Sequence, residues 1–541
     1  MHFVYFYLIS YSIIGYGILL SNYLDIRKYS FGYLGILGLS FLLFISFGSS
    51  MIINHSYLFN LLILILGLIF FFIHIDKINN LKKNIYIHLV VFTLLLLFIT
   101  ISKNHDDFSY YHFPYISILT EFSHPLGIGL LNNGFRSPSS AFFIGSMFYL
   151  PGVNIYLFHI TPAFVLGFSN LILIQKIFNE ENFKLLKFTN FISLISLIFI
   201  NIFFYRLAEH GTDRSGMILV IISFILFIKV INLKYKDHLS EIKFLIISLC
   251  FAITLKPFYL INIPLILLLL LYDKTKDVFL NLFFSKTFWY CLSLIFFIIF
   301  YTFINSGCLF FPLTFTCFGN LPWSMDFNSI NDIKIWFELW SKAGASPNFV
   351  VDDRIFYISD LNWIPNWIHH YFFNKVSDFL LGLLLLLIIL TFVFRNNFGK
   401  KVEKKISFLY LYILLVCFLL EWFFNHPTLR YGGYHLVFLS IFIPFSIYLT
   451  QLNIDFKTFE RKAVILIFVT VIIFSFRNFD RLYDEYKKYD YNPLINFNYK
   501  FIGGDKEFHY RYNFHLRKKY INYNSFKILG KNFVYLTRKN F

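Results

Sequence analysis

Charged residues are scarce in this sequence: only 14% of its 541 positions are Asp, Glu, Lys or Arg. A soluble fold of that length needs more polar surface than this. A composition of 58% hydrophobic residues, with 76 phenylalanines, cannot be hidden in one core. Cysteine is scarce too. The five cysteines include no CxxC pair, which argues against the common structural zinc sites. The start, MHFVYFYLISYSIIGYGILLSNYL, lacks a basic leading region, and no small-residue cleavage pattern follows it. It is expected to be a retained first span, not a secretory signal. Before the C-terminal tail no Lys/Arg stripe is interleaved with aromatics, so the net charge of +17 does not point to nucleic acid.

What the sequence has is a series of apolar runs near the length of a membrane crossing. YIHLVVFTLLLLFITI (86–101), DFLLGLLLLLIILTFVF (378–394) and AVILIFVTVIIFSF (463–476) are three of them. They predict an all-α polytopic membrane protein embedded in a lipid bilayer, with about 14 transmembrane helices. No internal repeat is evident. One stretch, residues 241–272, is too long for a single span yet has basic loops on both sides. A pair of short helices breaking at Lys256-Pro257 satisfies both facts, because proline ends a helix there; a single tilted, kinked span is the alternative and would reverse the sidedness of everything after it.

The basic residues orient the chain. Of the 47 Lys and Arg, 23 fall in short loops at 27–28, 77–83, 176–187, 229–243, 274–286, 395–405 and 457–462. Ten fall in the longer intervening loops and 14 in the last 65 residues. The positive-inside rule assigns the first set to the cytoplasm. The expected location is the cytoplasmic membrane, with both termini and all the unusual polar stretches on the periplasmic or outer side. Those stretches are KNHDDFSYYHFPY (103–115), RLAEHGTDRSG (206–216), the Lys256-Pro257 turn, SGCLFFPLTFTCFGNLPW (306–323) and NHPTLRYGGYH (425–435).

The organisation read from this pattern has N-terminal spans over 1–102 and a first outer loop with an acidic motif over 103–152. Central spans follow over 153–305, then a second outer loop over 306–375. C-terminal spans cover 376–476 and a basic, Tyr-rich tail covers 477–541. Loops this long tend to be functional, and both are expected to carry juxtamembrane helices. In the first, SSAFFIGSMFYL (139–150) is too short to span and is expected to lie along the interface. The second has Trp323, Trp336, Trp340, Trp363 and Trp367, suited to headgroup depth. Cys308 and Cys317 share that loop, where a disulfide is one option.

The candidates for chemistry sit in these stretches. Asp106 or Asp107, at the mouth of a water-excluded cleft, is suited to act as a general base, or to offset a phosphate leaving group through a divalent cation. His105 and His112 bracket the pair, so a metal site drawing on His105, Asp106 and Asp107 is conceivable. Outside cations include Arg136, Arg206, Arg214, Lys256 and Arg430. Lys256 beside a helix break at the membrane edge is costly unless paired. Arg430 has glycines beside it and a fork suited to phosphate. Glu209, His210 and Asp213 form a second polar knot, and Glu421 with His426 a third, with Arg430 the expected partner of Glu421. The plainer readings are solvated juxtamembrane carboxylates, snorkelling cations and structural ion pairs.

An acidic pair in the first long outer loop, followed by an aromatic, resembles the GT-C class of membrane glycosyltransferases, which includes protein mannosyltransferases and lipid A aminoarabinose transferases. The resembling piece is HDDFSYYHFPYISIL (105–119), with Asp106 and Asp107 at the two acidic positions and Tyr110 at the aromatic one. SGCLFFPLTFTCF (306–318), PTLRYGGYH (427–435) and TLKPFYL (254–260) are similar to later motifs of the class. The likeness covers most of residues 85–450. Three spans precede the acidic loop where the best-known members have one, and the second acidic residue is Asp where Glu is common, so the subfamily and acceptor stay open.

The resemblance implies transfer of a sugar from a polyprenyl-phosphate donor to a glycan, lipid or protein acceptor with inversion. It casts Asp106 as base and Asp107 as its orienting neighbour or a cation ligand. Lys256, Arg430 and Arg214 would hold the donor phosphate. Tyr110, His105, His112, Arg136, Glu421 and His426 would contact substrate. Two other activities fit a many-spanned chain with large outer loops: an O-antigen or capsule polymerase, and a transporter or flippase of lipid-linked saccharides. The first would rest on arginines and a histidine, and the second on ionisable residues near the midplane.

Overall fold

The computed structural model describes all residues except 27–29, 102–106, 181–182, 208–210, 233–238, 273–279, 284, 346–350, 398–407, 494–520, 529–530 and 539–541. Eight helices among the described residues are long and apolar enough to cross a membrane: His2–Tyr23, Phe31–Ser50, Leu81–Thr100, Gly211–Ile231, Lys286–Ser306, Ile364–Val393, Gly433–Thr450 and Phe456–Lys488. Shorter apolar helices lie between them: Tyr57–Ile73, Thr161–Ile177, Lys187–Phe203, Pro257–Leu271 and Leu409–Asn425, together with Leu239–Leu255. The chain is an integral membrane protein. Helix is the form these runs must take, because hydrocarbon offers no partner to a free N–H or C=O.

The helix ends assort into two sets. At one end, Lys243 Nζ donates to Leu24 O (2.6 Å) and Lys286 lies 3.8 Å from Asp25. Lys229 pairs with Glu241 at 2.6 Å, Lys187 reaches Leu452 O, and Asn453 N donates to Asn397 O (2.9 Å). These are the basic loops, drawn together. At the other end, His124 N donates to Ser50 O (2.7 Å), His55 N to Leu119 O (2.8 Å) and Gly127 N to Ile304 O (2.7 Å). Tyr491 OH closes on Thr100 O there (2.6 Å). Every polar stretch singled out above has described residues at this second end.

The Lys256 break is plain. The helix Leu239–Leu255 stops, Lys256 is extended, and Pro257 begins a tight turn that leads back as a second short helix. Four apolar helices, where three spans were expected, precede the acidic loop: His2–Tyr23, Phe31–Ser50, Tyr57–Ile73 and Leu81–Thr100.

Other expectations need correction. The piece 139–150 does not lie along an interface; the helix Ser140–Ser146 is buried along its whole length. Phe143 sits between Phe47 (4.8 Å) and Tyr301 (4.5 Å). The surrounding carbonyls find donors inside the bundle: Ser46 Oγ reaches Phe143 O (2.7 Å) and Asn60 Nδ2 reaches Ser146 O (2.8 Å). Polar partners from neighbouring helices let this short helix go inward. Trp363 and Trp367 are likewise buried, because their indole N–H groups meet Asp360 O (3.2 Å) and Pro427 O (2.8 Å). Cys308 and Cys317 form a disulfide.

The tail does not begin at Arg477. The last helix runs unbroken from Phe456 to Tyr489, its polar extension carrying an Arg481–Glu485 pair one turn apart (3.1 Å). Nor is the described chain wholly helical, since Ile521–Ile528 and Lys531–Arg538 pair as an antiparallel hairpin.

Candidate functional site at the polar end

Four segments far apart in sequence deliver one charged side chain each. Asp213 stands in the first turn of the helix Gly211–Asn232. Lys256 follows the end of the next helix at the proline break, its N–H held by Ala252 O (3.1 Å) and its carbonyl by Tyr259 N (3.1 Å). Arg430 lies in the short turn Leu429–Tyr431 between two spans. Asp107 leads into a π turn, Phe108–His112. Asp213, with its side chain 1% exposed, accepts from Lys256 Nζ through Oδ1 and from Arg430 Nε through Oδ2. Arg430 Nη2 then donates to Asp107 Oδ2 at 2.6 Å. The result is one chain, Lys256–Asp213–Arg430–Asp107, with Arg430 bridging two carboxylates.

The scaffold around Arg430 is stiff. Trp367 Nε1 donates to Pro427 O (2.8 Å), Trp422 Nε1 to Thr428 O (2.7 Å), and Leu429 N to Tyr371 OH (2.9 Å). Gly432 closes the turn at φ +101°, where a Cβ would stand 2.4 Å from the Phe258 ring. Both facts require glycine. Gly432→Ala is therefore expected to cost about 1–3 kcal/mol, read as a lower thermal unfolding midpoint of the purified protein in detergent.

Asp213 is fixed from behind by Tyr259, whose hydroxyl donates to the Asp213 carbonyl. Gly216 makes this possible, since a Cβ there would lie 2.1 Å from the Tyr259 ring.

Aromatic rings wall the cluster. The Lys256 ammonium lies 4.7 Å from the Tyr431 ring centroid, a cation–π contact. Burial pushes the Tyr431 hydroxyl up to about 12, and burial also raises Tyr111, which feels Asp107 and Arg430. Both phenols therefore stay neutral. Burial lowers Lys256, with Asp213 opposing. Burial works against the Arg430 charge, but Asp213 and Asp107 outweigh it and hold it further above its usual value. The four charges sum to zero, so an incoming anion must compete with a carboxylate for its cations.

The remaining expected residues are distributed as follows. His105 and Asp106 lie outside the described residues, as do Glu209 and His210. Tyr110 accepts from Asn132 Nδ2 at its carbonyl (2.7 Å). The His112 ring packs on Tyr111 (4.4 Å) and Phe142 (5.0 Å). Arg136 Nε donates to Gly129 O (3.2 Å), and its guanidinium lies over Phe311 (5.8 Å). The Arg214 guanidinium lies over the Phe204 and Tyr434 rings, at 5.6 and 5.9 Å. Arg430 does not take Glu421 as its partner; Glu421 accepts from Asn425 Nδ2 (3.3 Å), one helical turn on. His426 stands 5.9 Å from Tyr431, ring to ring, and 3.5 Å from Ser341 Oγ.

Among the described residues no three His, Cys, Asp or Glu gather as metal ligands. Of the suggested cation ligands only Asp107 is described. The most buried member of the cluster, Asp213, stood in the sequence as part of a polar knot with no partner assigned. The signal was available: a carboxylate in the first turn of a spanning helix, just ahead of its apolar run, is expensive to bury unless paired.

Residues 1–438 match the family described as Domain of unknown function (DUF8201). No curated protein and no solved structure matches the chain.

Proposed function

We propose, from the premise that this chain belongs to the DUF8201 family and from the chemistry of its charged cluster, that it is a membrane glycosyltransferase. It would take a sugar from a polyprenyl-phosphate donor and pass it, with inversion, to a hydroxyl of a glycan, lipid or protein acceptor. The observation that carries this reading is the single chain of Asp107, Arg430, Asp213 and Lys256 at the end opposite the basic loops.

The eight long and six shorter apolar helices read as fourteen crossings. With the basic loops in the cytoplasm, the site faces outward. The Cys308–Cys317 disulfide at the same end suits an oxidising compartment. After mild reduction of intact cells, a membrane-impermeant maleimide is expected to label Cys308 and Cys317. Labelling only after the membrane is permeabilised would reverse the orientation.

In the proposed step the acceptor oxygen attacks the anomeric carbon and gives its proton to the Asp106 carboxylate. The bond from that carbon to the phosphate oxygen breaks, and polyprenyl phosphate leaves. Lys256 and Arg430 exchange part of their hold on Asp213 for the phosphate oxygens. Those contacts strengthen as the leaving group gains charge, which is the condition for lowering a barrier. Asp107 keeps Arg430 aimed.

The test is release of sugar from polyprenyl-phosphate sugars by purified protein. Release that requires acceptor and falls in Arg430→Ala supports the reading. Intact donor under all conditions would reject it, and passage of lipid-linked saccharide across liposomes without bond cleavage would favour a transporter.

A further inference from the structure

Beyond the charged chain, a second group of side chains gathers around Tyr431. Trp340 lies in the helix Phe327–Lys342 of the second outer loop. Its ring centroid is 5.6 Å from Tyr431 at an interplanar angle of 60°, and the side chain is half-buried. The His426 ring stands 5.9 Å from the same tyrosine. Two residues before Trp340, Glu338 accepts from Lys342 Nζ, one turn further on, at 2.6 Å. Lys342 itself is locked in place, donating to Ile358 O (2.8 Å) with its ammonium over Trp363 (5.5 Å). Glu338 and Lys256 both act electrostatically on His426, which burial keeps neutral. Trp340, Tyr431, Glu338, Lys342 and His426 have no task in the transfer step described above.

We infer that Trp340 and Tyr431, with Glu338 and His426 beside them, form the platform on which the sugar ring of the donor lies. This deepens the glycosyltransferase reading and rests on it. A pyranose presents a face of C–H groups carrying slight positive charge, and the faces of indole and phenol rings are negative. Its edge presents hydroxyls, which need a carboxylate or a neutral imidazole as partners.

The placement follows from covalent geometry. In a polyprenyl-phosphate sugar the ring and the phosphate share one bridging oxygen, so a phosphate held by Lys256 keeps its sugar within a few ångströms. Tyr431, 4.7 Å from that ammonium, is the aromatic ring beside it, and the Trp340 ring meets it edge-on at 60°, so the two rings form a corner for the sugar. An in-line displacement puts the acceptor oxygen and the leaving phosphate on opposite sides of the anomeric carbon, so the ring itself must lie to one side. Asp107 approaches Arg430 from another segment, which leaves the acceptor a separate approach.

The test uses the full-length protein in detergent with a short-chain polyprenyl-phosphate sugar. Trp340→Ala is expected to raise the donor KM about tenfold with a smaller effect on kcat, and Trp340→Phe to restore most of it. Trp336→Ala, at an exposed position of the same helix, is expected to behave as wild type. A parallel binding arm titrates the free glycosyl phosphate against tryptophan fluorescence, where the response is expected to vanish in Trp340→Phe. Should Trp340→Ala not fold, Glu338→Gln is expected to show the same KM shift.

If the wild type transfers sugar while donor KM is unchanged in Trp340→Ala, or equally changed in Trp336→Ala, the platform falls and the transferase reading stands. If the wild type transfers nothing, the transferase reading falls. A fluorescence response that depends on Trp340 then keeps the saccharide platform, and the lack of one removes it as well.

Discussion

Asp213→Asn is expected to destabilise the protein more than any other single change at the charged cluster. Its carboxylate is 1% exposed and holds two cations at once. Removing one member of a buried ion pair leaves the other charge desolvated without compensation, at about 3–5 kcal/mol. Lys256 and Arg430 keep 27% and 31% of their side chains exposed, which moves the expected cost toward the lower end. The two cations are not equal after the change. Arg430 retains Asp107 in direct contact at 2.6 Å, whereas Lys256 keeps the Tyr431 face and a weaker, more distant attraction to Asp107. The Asp213→Asn/Lys256→Met double variant is therefore expected to recover more of the thermal midpoint than Asp213→Asn/Arg430→Met. Equal recovery, or a midpoint unchanged in Asp213→Asn, would mean that the chain of pairs does not hold this end of the bundle together. Sugar transfer is expected to be lost in both double variants, because each removes a cation proposed to take the phosphate.

What could be read before the fold was known depended on whether local chemistry decided it. The Lys256 break was legible because proline cannot continue a helix. The turn around Arg430 was legible because two glycines and a proline punctuate an apolar context. The helical, membrane-embedded character followed from run length alone. Pairing was not legible. Glu421 stands in an apolar run and Asp213 just ahead of one, and each had to find a partner. Sequence separation favoured Glu421 for Arg430, at nine positions, over Asp213 at 217. Tertiary packing chose Asp213 because the first turn of its helix faces the Arg430 turn, while Glu421 meets Asn425 on its own helix. The same limit explains the tryptophans. Composition suits Trp363 and Trp367 to headgroup depth, but backbone carbonyls within reach of their indole N–H groups make burial affordable. Trp340 looked like its neighbours in sequence, and only its distance to Tyr431 sets it apart.

Asp106→Asn is expected to lower the rate of sugar transfer by about 10²–10⁴-fold while leaving the unfolding midpoint and donor affinity near wild type. Asp107 is committed: its Oδ2 accepts from Arg430 at 2.6 Å, and protonating that oxygen would cost the pair that aims the guanidinium. That commitment is why we give the proton to Asp106 and the aiming of Arg430 to Asp107. Asp107→Asn is expected to act differently. An amide can still accept a hydrogen bond from Arg430 but contributes no charge, so donor KM rises, the midpoint falls, and the pH dependence of kcat stays that of wild type. In Asp106→Asn the limb of the pH profile that reports the base is expected to disappear. Undiminished transfer in Asp106→Asn would remove it as base. A kcat loss larger in Asp107→Asn than in Asp106→Asn, with the midpoint unchanged, would exchange the two roles and leave Arg430 held by Asp213 alone during the reaction.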